Sequence, residues 1–242
     1  AGETTLLLER RSEDIDATIG CLRALGAEIS LLTDGVLVRG IERVNQNPLL
    51  DCGESGSTFR FLLPVAAALC EQARFVGGGR LPERPIGELM RAMEGHGVSF
   101  SADRLPFFTN GKLTGGDFSL PGNVSSQYLT GLLLAQPLLA EPSTISLTTK
   151  LESAAYVDIT LHALRRFGVS VLVADESYRI PGGQTIHSAG ELRVDGDWSN
   201  AAFFLVAGAI GAPVRLTGLN LNSPQGDKAI LDALLAFGAS LK

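Results

Sequence analysis

The fold is decided by residues 157–171, VDITLHALRRFGVSV, because the same pattern returns three more times along the chain. Its apolar residues recur at three- and four-residue spacing, which is typical of one face of an amphipathic helix. The helical pattern ends at a glycine, which adopts a left-handed backbone conformation without steric penalty, and a short alternating strand follows. The other copies are 14–30 (DIDATIGCLRALGAEIS), 86–100 (IGELMRAMEGHGVSF) and 227–241 (DKAILDALLAFGASL).

The glycines that end these four patterns are evenly spaced. They are Gly26, Gly97, Gly168 and Gly238, and successive glycines are 71, 71 and 70 residues apart. Any α/β protein contains helix–glycine–strand units, but nearly constant spacing over four copies predicts a true structural repeat.

A second and more apolar helix is predicted ahead of each of the last three glycines. Its copies are GESGSTFRFLLPVAAAL from Gly53, GNVSSQYLTGLLLAQPLL from Gly122 and GDWSNAAFFLVAGAIGA from Gly196. These helices are hydrophobic nearly all round, which predicts burial, whereas the amphipathic helices are expected to form an outer layer. Strands are predicted after the apolar helices, at 73–76, 144–148 and 214–217.

The complete unit is strand–helix–strand–helix–strand–strand, as in residues 49–110. Three such units, with their apolar helices packed together and sheets around them, predict one compact α/β domain. The 242 residues hold roughly three and a half units of this length. We therefore expect residues 1–190 to form a three-unit domain with an incomplete first unit, and 191–242 to begin a second domain. Because the chain opens at Ala1, directly on a strand-like stretch, the sequence favours a piece of a longer protein.

Composition and charge exclude several classes of protein. Apolar residues make up 45% of the chain and charged residues 19%, which excludes a disordered chain. The net charge of −6 argues against a nucleic-acid interface. The three cysteines and three histidines have no metal-like spacing, so we expect neither metal nor cofactor. No apolar run approaches a membrane span and no signal peptide is visible, so we expect a cytoplasmic protein.

Small polar residues gather where helices are predicted to begin. Ser125, Ser126 and Gln127 follow Gly122. A helix N-terminus offers unpaired N–H groups and the positive end of the helix dipole, so hydroxyl groups there suit an anion site. Ordinary N-capping explains the serines equally well. Residues 53–60 have the same construction, and Gly56 would let a ligand approach the backbone closely.

Two further segments carry candidate site residues. In residues 80–87 (RLPERPIG), two prolines bracket Arg84 on a stiff turn, which presents its guanidinium at low entropic cost. A surface salt bridge would account for that arginine as well. Residues 151–158 (LESAAYVD) place Ser153 and Tyr156 at the equivalent start of the next repeated helix. Polar residues at corresponding helix ends are therefore predicted to meet in one cleft.

Five segments, in this order, resemble the 5-enolpyruvylshikimate-3-phosphate synthase family: ESGSTFRFLLP, ERPIGELM, PGNVSSQYLTGLLLAQPLL, ESAAYVDITLHALRRFGV and VDGDWSNAAFFL. The resemblance implies repeated βαβαββ units arranged as an inside-out α/β barrel, with six units in the whole family fold. It also implies transfer of the enolpyruvyl group of phosphoenolpyruvate to the 5-hydroxyl of shikimate 3-phosphate, with release of phosphate. That reaction belongs to the synthesis of chorismate and the aromatic amino acids.

The resemblance also implies roles for individual residues. Gly56 and Arg84 would contact phosphoenolpyruvate, and Gln127 would lie near both substrates. Arg60 matches the arginine of its motif and is expected to be structural, while Glu54 replaces an asparagine that is common in the family. The residues that would hold shikimate 3-phosphate are Ser125, Ser126, Gln127, Ser153 and Tyr156.

The acid–base residues of the family fall outside the segments matched here, so no catalytic residue is assigned. The 242-residue chain alone is expected to be inactive and at most to bind shikimate 3-phosphate. Expected partners are small anions rather than nucleic acid or a membrane, and the full-length protein is expected to be a monomer. Two alternatives stay open. One is an enolpyruvyl transferase for UDP-N-acetylglucosamine, although residues 81–87 lack the cysteine of that family, and the other is a non-catalytic domain of the same fold.

Overall fold

The computed structural model describes residues 2–241. The chain divides between Leu192 and Arg193 into two compact units. The first unit has the elements β1 (Glu3–Leu7), α1 (Glu13–Leu25), β2 (Glu28–Leu32), β3 (Gly35–Arg39), β4 (Leu49–Asp51), α2 (Gly56–Leu69), β5 (Gln72–Val76), α3 (Gly87–Glu94), β6 (Ser99–Phe100), β7 (Phe107–Asn110), β8 (Gly116–Leu120), α4 (Ser126–Ala135), β9 (Ser143–Leu147), α5 (Ala154–Arg166), β10 (Leu172–Ala174) and β11 (Ser177–Ile180). Strand β12 (Glu191–Arg193) lies at the division, and the second unit holds α6 (Trp198–Ile210) and α7 (Ile230–Ala236).

The described strands form three four-stranded sheets that share one plan. In the sheet β4-β5-β7-β6, the first pair is parallel and the other two pairs are antiparallel, and β8-β9-β11-β10 repeats this arrangement strand for strand. The third sheet has the order β12-β1-β3-β2, so β12 takes the edge that β4 and β8 occupy in the other two. The strand–helix–strand–helix–strand–strand unit predicted for residues 49–110 is confirmed.

The four repeated helices end in the same way. The φ angles of the predicted glycines are +119°, +90°, +80° and +86° in chain order. After each glycine, the next backbone N–H donates to the carbonyl five residues earlier, at 2.9–3.3 Å, as in the Schellman motif. These four bonds join Ala27 to Leu22, Val98 to Met93, Val169 to Leu164 and Ala239 to Leu234. The repeat predicted from glycine spacing is therefore a repeat of helix endings.

The apolar helices α2 and α4 are buried in the first unit, as predicted. Phe59 of α2 packs against Phe75 and Phe107, with ring centroids 5.8–6.0 Å apart. Gly131 of α4 lies against the carbonyl oxygen of Arg60, where any Cβ would overlap that oxygen. A glycine is required there for the two helices to approach this closely.

Two expectations are wrong in the second unit. Residues 214–217 form no strand, and no strand lies within residues 194–241 that could pair with their backbone groups. Helix α6 is largely exposed rather than buried, with Phe203 77% and Ile210 84% accessible. A helix that is apolar all round is buried only with neighbours on every side, and α7 is the only other α-helix within residues 193–241.

No helix within the described part of the chain is long and apolar enough to cross a bilayer.

Candidate functional site

The N-terminal ends of three helices lie side by side in the first unit. Arg60, in the second turn of α2, donates a hydrogen bond to Gln127 in the first turn of α4. Thr130 of α4 shares a hydrogen bond of 3.0 Å with Thr160 of α5, and both hydroxyls are buried. These contacts place the starts of α2 and α4 next to one another and the middle of α5 against α4. The starts of α2 and α4 are two of the segments where polar residues were predicted to meet.

The loops that lead into α4 and α5 are joined by their own hydrogen bonds. The backbone N–H of Glu152 donates to the Gly122 carbonyl at 3.1 Å. The backbone N–H of Asn123 donates to the Thr149 hydroxyl, also at 3.1 Å, and that hydroxyl donates to the Asn123 side chain. The two predicted segments around Ser125 and Ser153 therefore belong to one neighbourhood.

Ser125 and Ser126 take different positions at the start of α4. Ser125 is the N-cap, and its Oγ accepts a hydrogen bond from the backbone N–H of Gln127 at 3.3 Å. Ser126 is the first residue of the helix, and its hydroxyl has no hydrogen-bond partner among residues 2–241. Ordinary capping thus explains Ser125, whereas the Ser126 hydroxyl is free to bind a ligand.

Gly56 and Arg84 are in direct proximity. A Cβ added to Gly56 would lie 2.6 Å from Nη1 of Arg84 and 3.5 Å from Nη1 of Arg60. Arg84 follows a short 3₁₀ turn, Leu81–Glu83, and its guanidinium makes no hydrogen bond or ion pair with the described residues. The absence of a side chain at Gly56 therefore makes room for the Arg84 guanidinium at the first turn of α2, while the Arg60 guanidinium lies at ordinary contact distance.

Arg60 connects the other members of the site. Its Nη1 donates to Oε1 of Gln127 at 2.7 Å, and its Nη2 donates to the carbonyl oxygen of Pro85 at 3.1 Å. Its guanidinium carbon lies 5.6 Å from the ring centroid of Tyr128. The Tyr128 hydroxyl donates to the same Pro85 carbonyl at 2.6 Å. One guanidinium thus joins α2, the start of α4 and the segment that carries Arg84.

The electrostatics of this cluster favour a negative ligand. Burial lowers the pKa of Arg60, the positive charge of Arg84 lowers it further, and Tyr128 opposes both effects. No ion pair among the described residues includes Arg60 or Arg84. Nε of Arg60 is buried and has no partner there either. Two adjacent cations without a carboxylate are stabilised by an anion bound between them.

Tyr128 is a site residue that the sequence reasoning missed. Burial raises the pKa of its hydroxyl, while the Arg60 charge lowers it. The phenol therefore stays neutral at physiological pH and can donate its proton to the Pro85 carbonyl. The signal in the sequence is a tyrosine inside an otherwise apolar helix, next to Gln127, because a buried tyrosine hydroxyl needs a polar partner.

Ser153 and Tyr156 lie at the start of α5. Ser153 has φ +60° and ψ +41°, a left-handed conformation that costs a serine about 1 kcal/mol or more, and its hydroxyl caps nothing. Tyr156 is 52% exposed and its hydroxyl has no partner among the described residues. No hydrogen bond joins either side chain to Ser125, Ser126 or Gln127 within residues 2–241. The structure brings the segment of Ser153 into the neighbourhood of Ser125 but forms no hydrogen bond from Ser153 or Tyr156 to the side chains around Arg60 within residues 2–241.

The Glu54 carboxylate lies against Gly79, close to where a Cβ of that glycine would stand.

In the described part of the chain, no group of three His, Cys, Asp or Glu side chains is arranged to hold a metal ion. All three cysteines are free and buried.

The fold and the site define a class of protein: repeated βαβαββ units in which helix N-termini and two arginines without a carboxylate partner among residues 2–241 form an anion-complementary cluster. The family model described as EPSP synthase (3-phosphoshikimate 1-carboxyvinyltransferase) matches residues 1–242. The chain belongs to this family, as the motifs indicated.

Curated relatives agree with the family match. The 3-phosphoshikimate 1-carboxyvinyltransferase of Clostridium novyi (strain NT) is 40% identical over 243 residues, covering 96% of this chain and 56% of the relative. The protein of the same name from Clostridium beijerinckii is 41% identical, covering 95% and 55%. This chain spans little more than half the length of these relatives.

Solved structures show the same fold. An EPSP synthase from Acinetobacter baumannii superposes with a TM-score of 0.81 at 24% sequence identity. The match covers all of this chain and 56% of that protein. The predicted fold class is confirmed.

Proposed function

We propose that this chain carries the shikimate 3-phosphate site, and part of the phosphoenolpyruvate site, of an enolpyruvyl transferase. The reaction would transfer the enolpyruvyl group of phosphoenolpyruvate to the 5-hydroxyl of shikimate 3-phosphate and release phosphate. The family and the names of the relatives support this reaction over transfer to UDP-N-acetylglucosamine. The observation that carries the proposal is the pair Arg60 and Arg84, which face the first turn of α2 without a carboxylate partner.

Phosphoenolpyruvate fits the cluster around Gly56. Its carboxylate is planar and its phosphate is tetrahedral, and both accept paired hydrogen bonds from a guanidinium. Arg84 has all its N–H donors free, and Gly56 leaves space for a ligand against the helix N-terminus. In this proposal Arg84 and Gly56 contact phosphoenolpyruvate, and the amide of Gln127 contacts both substrates.

Shikimate 3-phosphate fits the starts of α4 and α5. Ser126 and Ser153 have hydroxyls without partners among the described residues, and Ser153 is the N-cap residue of α5. Together with Ser125, Gln127 and Tyr156, they would bind the phosphate and the ring hydroxyls. These hydroxyl, amide and phenol groups suit a polyhydroxylated anion, since each can donate a hydrogen bond.

The chemistry needs groups beyond this cluster. Protonation of the methylene carbon of phosphoenolpyruvate develops positive charge on the neighbouring carbon, which the 5-hydroxyl then attacks as it loses its proton. Acid–base catalysis needs a group whose pKa lies near the working pH. Arginine, serine, glutamine and a buried neutral tyrosine do not supply one. The cluster would therefore position substrates and stabilise charge.

Calorimetry with shikimate 3-phosphate tests the binding part of the proposal. The 242-residue chain is expected to bind it, and Ser126→Ala and Gln127→Ala are each expected to weaken binding about tenfold, as for the loss of a hydrogen bond to a charged group. Ser146→Ala is the matched control, because Ser146 is exposed on β9 outside the site. An absence of binding, or silent variants at both positions, would favour a non-catalytic domain of the same fold.

A phosphate-release assay with both substrates tests the catalytic part. The 242-residue chain alone is expected to show no turnover, because the described cluster holds no acid–base group for the proton transfers. Normal turnover by this chain would contradict the expectation.

The remaining assignments are proposals of the same kind. Residues 1–190 would form the substrate-binding domain, and 191–242 would begin a second domain. The whole protein would act as a monomer in the cytoplasm on small anions, and its net charge of −6 supports the absence of a nucleic-acid partner.

A further inference from the structure

Arg60 makes more specific contacts than a structural arginine requires. Its two terminal nitrogens donate to two different segments, to Gln127 at 2.7 Å and to the Pro85 carbonyl at 3.1 Å. Both acceptors are neutral oxygens, and no carboxylate pairs with it among residues 2–241. Burial of a cation among neutral acceptors is unfavourable, which the lowered pKa of Arg60 reflects. A structural role alone would be served better by an apolar side chain or a paired charge.

The contact with Gln127 has a direct consequence for that amide. A glutamine side chain has a carbonyl oxygen that accepts and an NH₂ group that donates, and the two ends can exchange by rotation. The arginine guanidinium has only donors, so it can form a hydrogen bond only with the oxygen end of the amide. Because Arg60 holds Oε1, the Nε2 group must point away from the guanidinium. Nε2 has no hydrogen-bond partner among the described residues, so it is available to a ligand.

The contact with Pro85 acts on the second arginine of the site. The Pro85 carbonyl accepts from both Arg60 and the Tyr128 hydroxyl. This carbonyl belongs to the residue that follows Arg84, whose guanidinium lies next to Gly56. Two hydrogen bonds to one carbonyl fix the backbone from which the Arg84 side chain extends, and a fixed backbone lowers the entropy lost when Arg84 engages a ligand.

We propose that Arg60 is a positioning residue: it sets the Gln127 amide so that its NH₂ group faces the ligand, and it holds the Arg84–Pro85 segment in place. The ligand side of this role rests on the proposed function, in which Gln127 and Arg84 contact anionic substrates. The orientation of the Gln127 amide does not depend on it, because Arg60 and Gln127 are in contact in the unliganded chain.

The orientation is tested without ligand by NMR of the Gln127 side-chain amide. Its two proton signals in the 242-residue chain are identified by their loss in Gln127→Ala. Arg60→Lys keeps the positive charge but replaces the two terminal guanidinium nitrogens by one ammonium nitrogen. The two Gln127 signals are then expected to shift toward those of a freely rotating glutamine side chain. Arg74→Lys is the matched control, since Arg74 lies 5.4 Å from the Phe108 ring centroid on β5, outside the site. Unchanged Gln127 signals in a folded Arg60→Lys chain would overturn the proposal.

A double-mutant cycle tests the effect on the ligand, with shikimate 3-phosphate affinity measured by calorimetry. Arg60→Lys is expected to weaken binding about tenfold in the parent chain and clearly less in a Gln127→Ala background, because only the contact with the Pro85 carbonyl is left to lose there. Independent losses that multiply in the double variant would show that Arg60 does not act through Gln127. If the parent chain binds no shikimate 3-phosphate, the proposed function fails, and the amide signals still decide the orientation.

Gln127→Glu provides a variant that leaves the arginine intact. The new carboxylate would pair with Arg60, so the thermal unfolding midpoint of the unliganded chain is expected to rise at pH 7. The gain is expected to disappear near pH 3, where the carboxylate becomes protonated. A midpoint that does not change at pH 7 would contradict the contact between the two side chains.

Discussion

At the scale of single residues, the candidate site depends on Gly56, because this residue has no side chain. Gly56 leaves the space that the Arg84 guanidinium occupies beside Arg60, and the guanidinium of Arg84 has no hydrogen-bond or ion-pair partner among residues 2–241. In the sequence, each of these residues has an ordinary explanation: a helix start for Gly56, a salt bridge for Arg84, a structural contact for Arg60. Their proximity makes the anion site the better explanation, because two unpaired cations side by side repel each other.

Gly56→Ala tests this at the residue scale. The added Cβ would lie 2.6 Å from Nη1 of Arg84, so the flexible end of the arginine must move while the helix remains. We expect affinity for phosphoenolpyruvate, the substrate assigned to Gly56 and Arg84, to fall about tenfold, with little change in the free energy of unfolding. Calorimetry and urea unfolding measure the two quantities.

Gly20→Ala is the matched control for that substitution. Gly20 lies inside α1 with no atom within 4 Å of an added Cβ. Replacing a mid-helix glycine by alanine is expected to stabilise the chain by about 0.5–1 kcal/mol without changing affinity. A loss of affinity at Gly20, or an unchanged affinity at Gly56, would contradict the role of the Gly56 space.

At the scale of elements, the repeat is a property of helix endings. All four predicted glycines have positive φ and are followed by the same backbone hydrogen bond, although the helices before them differ in length. The same register also carries a hydroxyl: Thr18 and Thr160 both stand eight residues before their glycine. Each bonds a threonine on a neighbouring helix, at 2.7 Å to Thr58 and at 3.0 Å to Thr130. Sequence spacing therefore identified elements whose ends and packing are equivalent.

The helix endings predict graded effects of substitution. Gly168→Ala forces a left-handed alanine, with only the edge of His187 at 3.3 Å from the new Cβ, and is expected to destabilise the chain by about 1 kcal/mol. Gly26→Ala adds an overlap with the carbonyl oxygen of Arg43, which belongs to the backbone and has no rotamer to change. Its cost is expected to exceed about 2 kcal/mol. Urea unfolding measures both, and equal costs would contradict the steric argument.

At the scale of the whole molecule, buried thiols and phenols make stability dependent on pH. A hydrogen bond with Cys21 and burial raise the pKa of Cys52, and burial raises the pKa of Cys70, Tyr128 and Tyr178. In the unfolded chain, thiols ionise near about pH 8.5 and phenols near about pH 10. Above these values the unfolded state holds fewer protons than the folded state, so stability decreases as pH rises.

The expected result is a free energy of unfolding that falls as pH rises above about 8.5, where the unfolded thiols ionise, and more steeply above about pH 10, where the unfolded phenols ionise, measured by urea unfolding in a series of buffers. Below about pH 8.5 these groups are neutral in both states and contribute no slope. Cys52→Ala is expected to lower stability somewhat at every pH, through lost packing, and to reduce the slope. The same slope in this variant as in the parent chain would show that Cys52 does not contribute.

The sequence by itself determined the elements and the repeat of the first unit. Helix period, strand alternation and glycine caps are local, because they depend on residues within a few positions of each other. For that reason the unit of residues 49–110, the four glycine endings and the burial of α2 and α4 were predictable. Family motifs within these elements also identified the segments that approach one another.

Only the tertiary structure decided which groups meet and which remain unpartnered. It joined Arg60 to Gln127, 67 positions later, and added Tyr128 to the cluster. It placed β12 at the edge of the sheet that contains β1, β3 and β2. It also left residues 214–217 without strand structure and most of α6 exposed. A strand needs a partner and an apolar helix needs neighbours, and a hydrogen bond between distant residues needs both elements in place. These requirements are met or missed only when the whole chain is packed, so local patterns do not contain them.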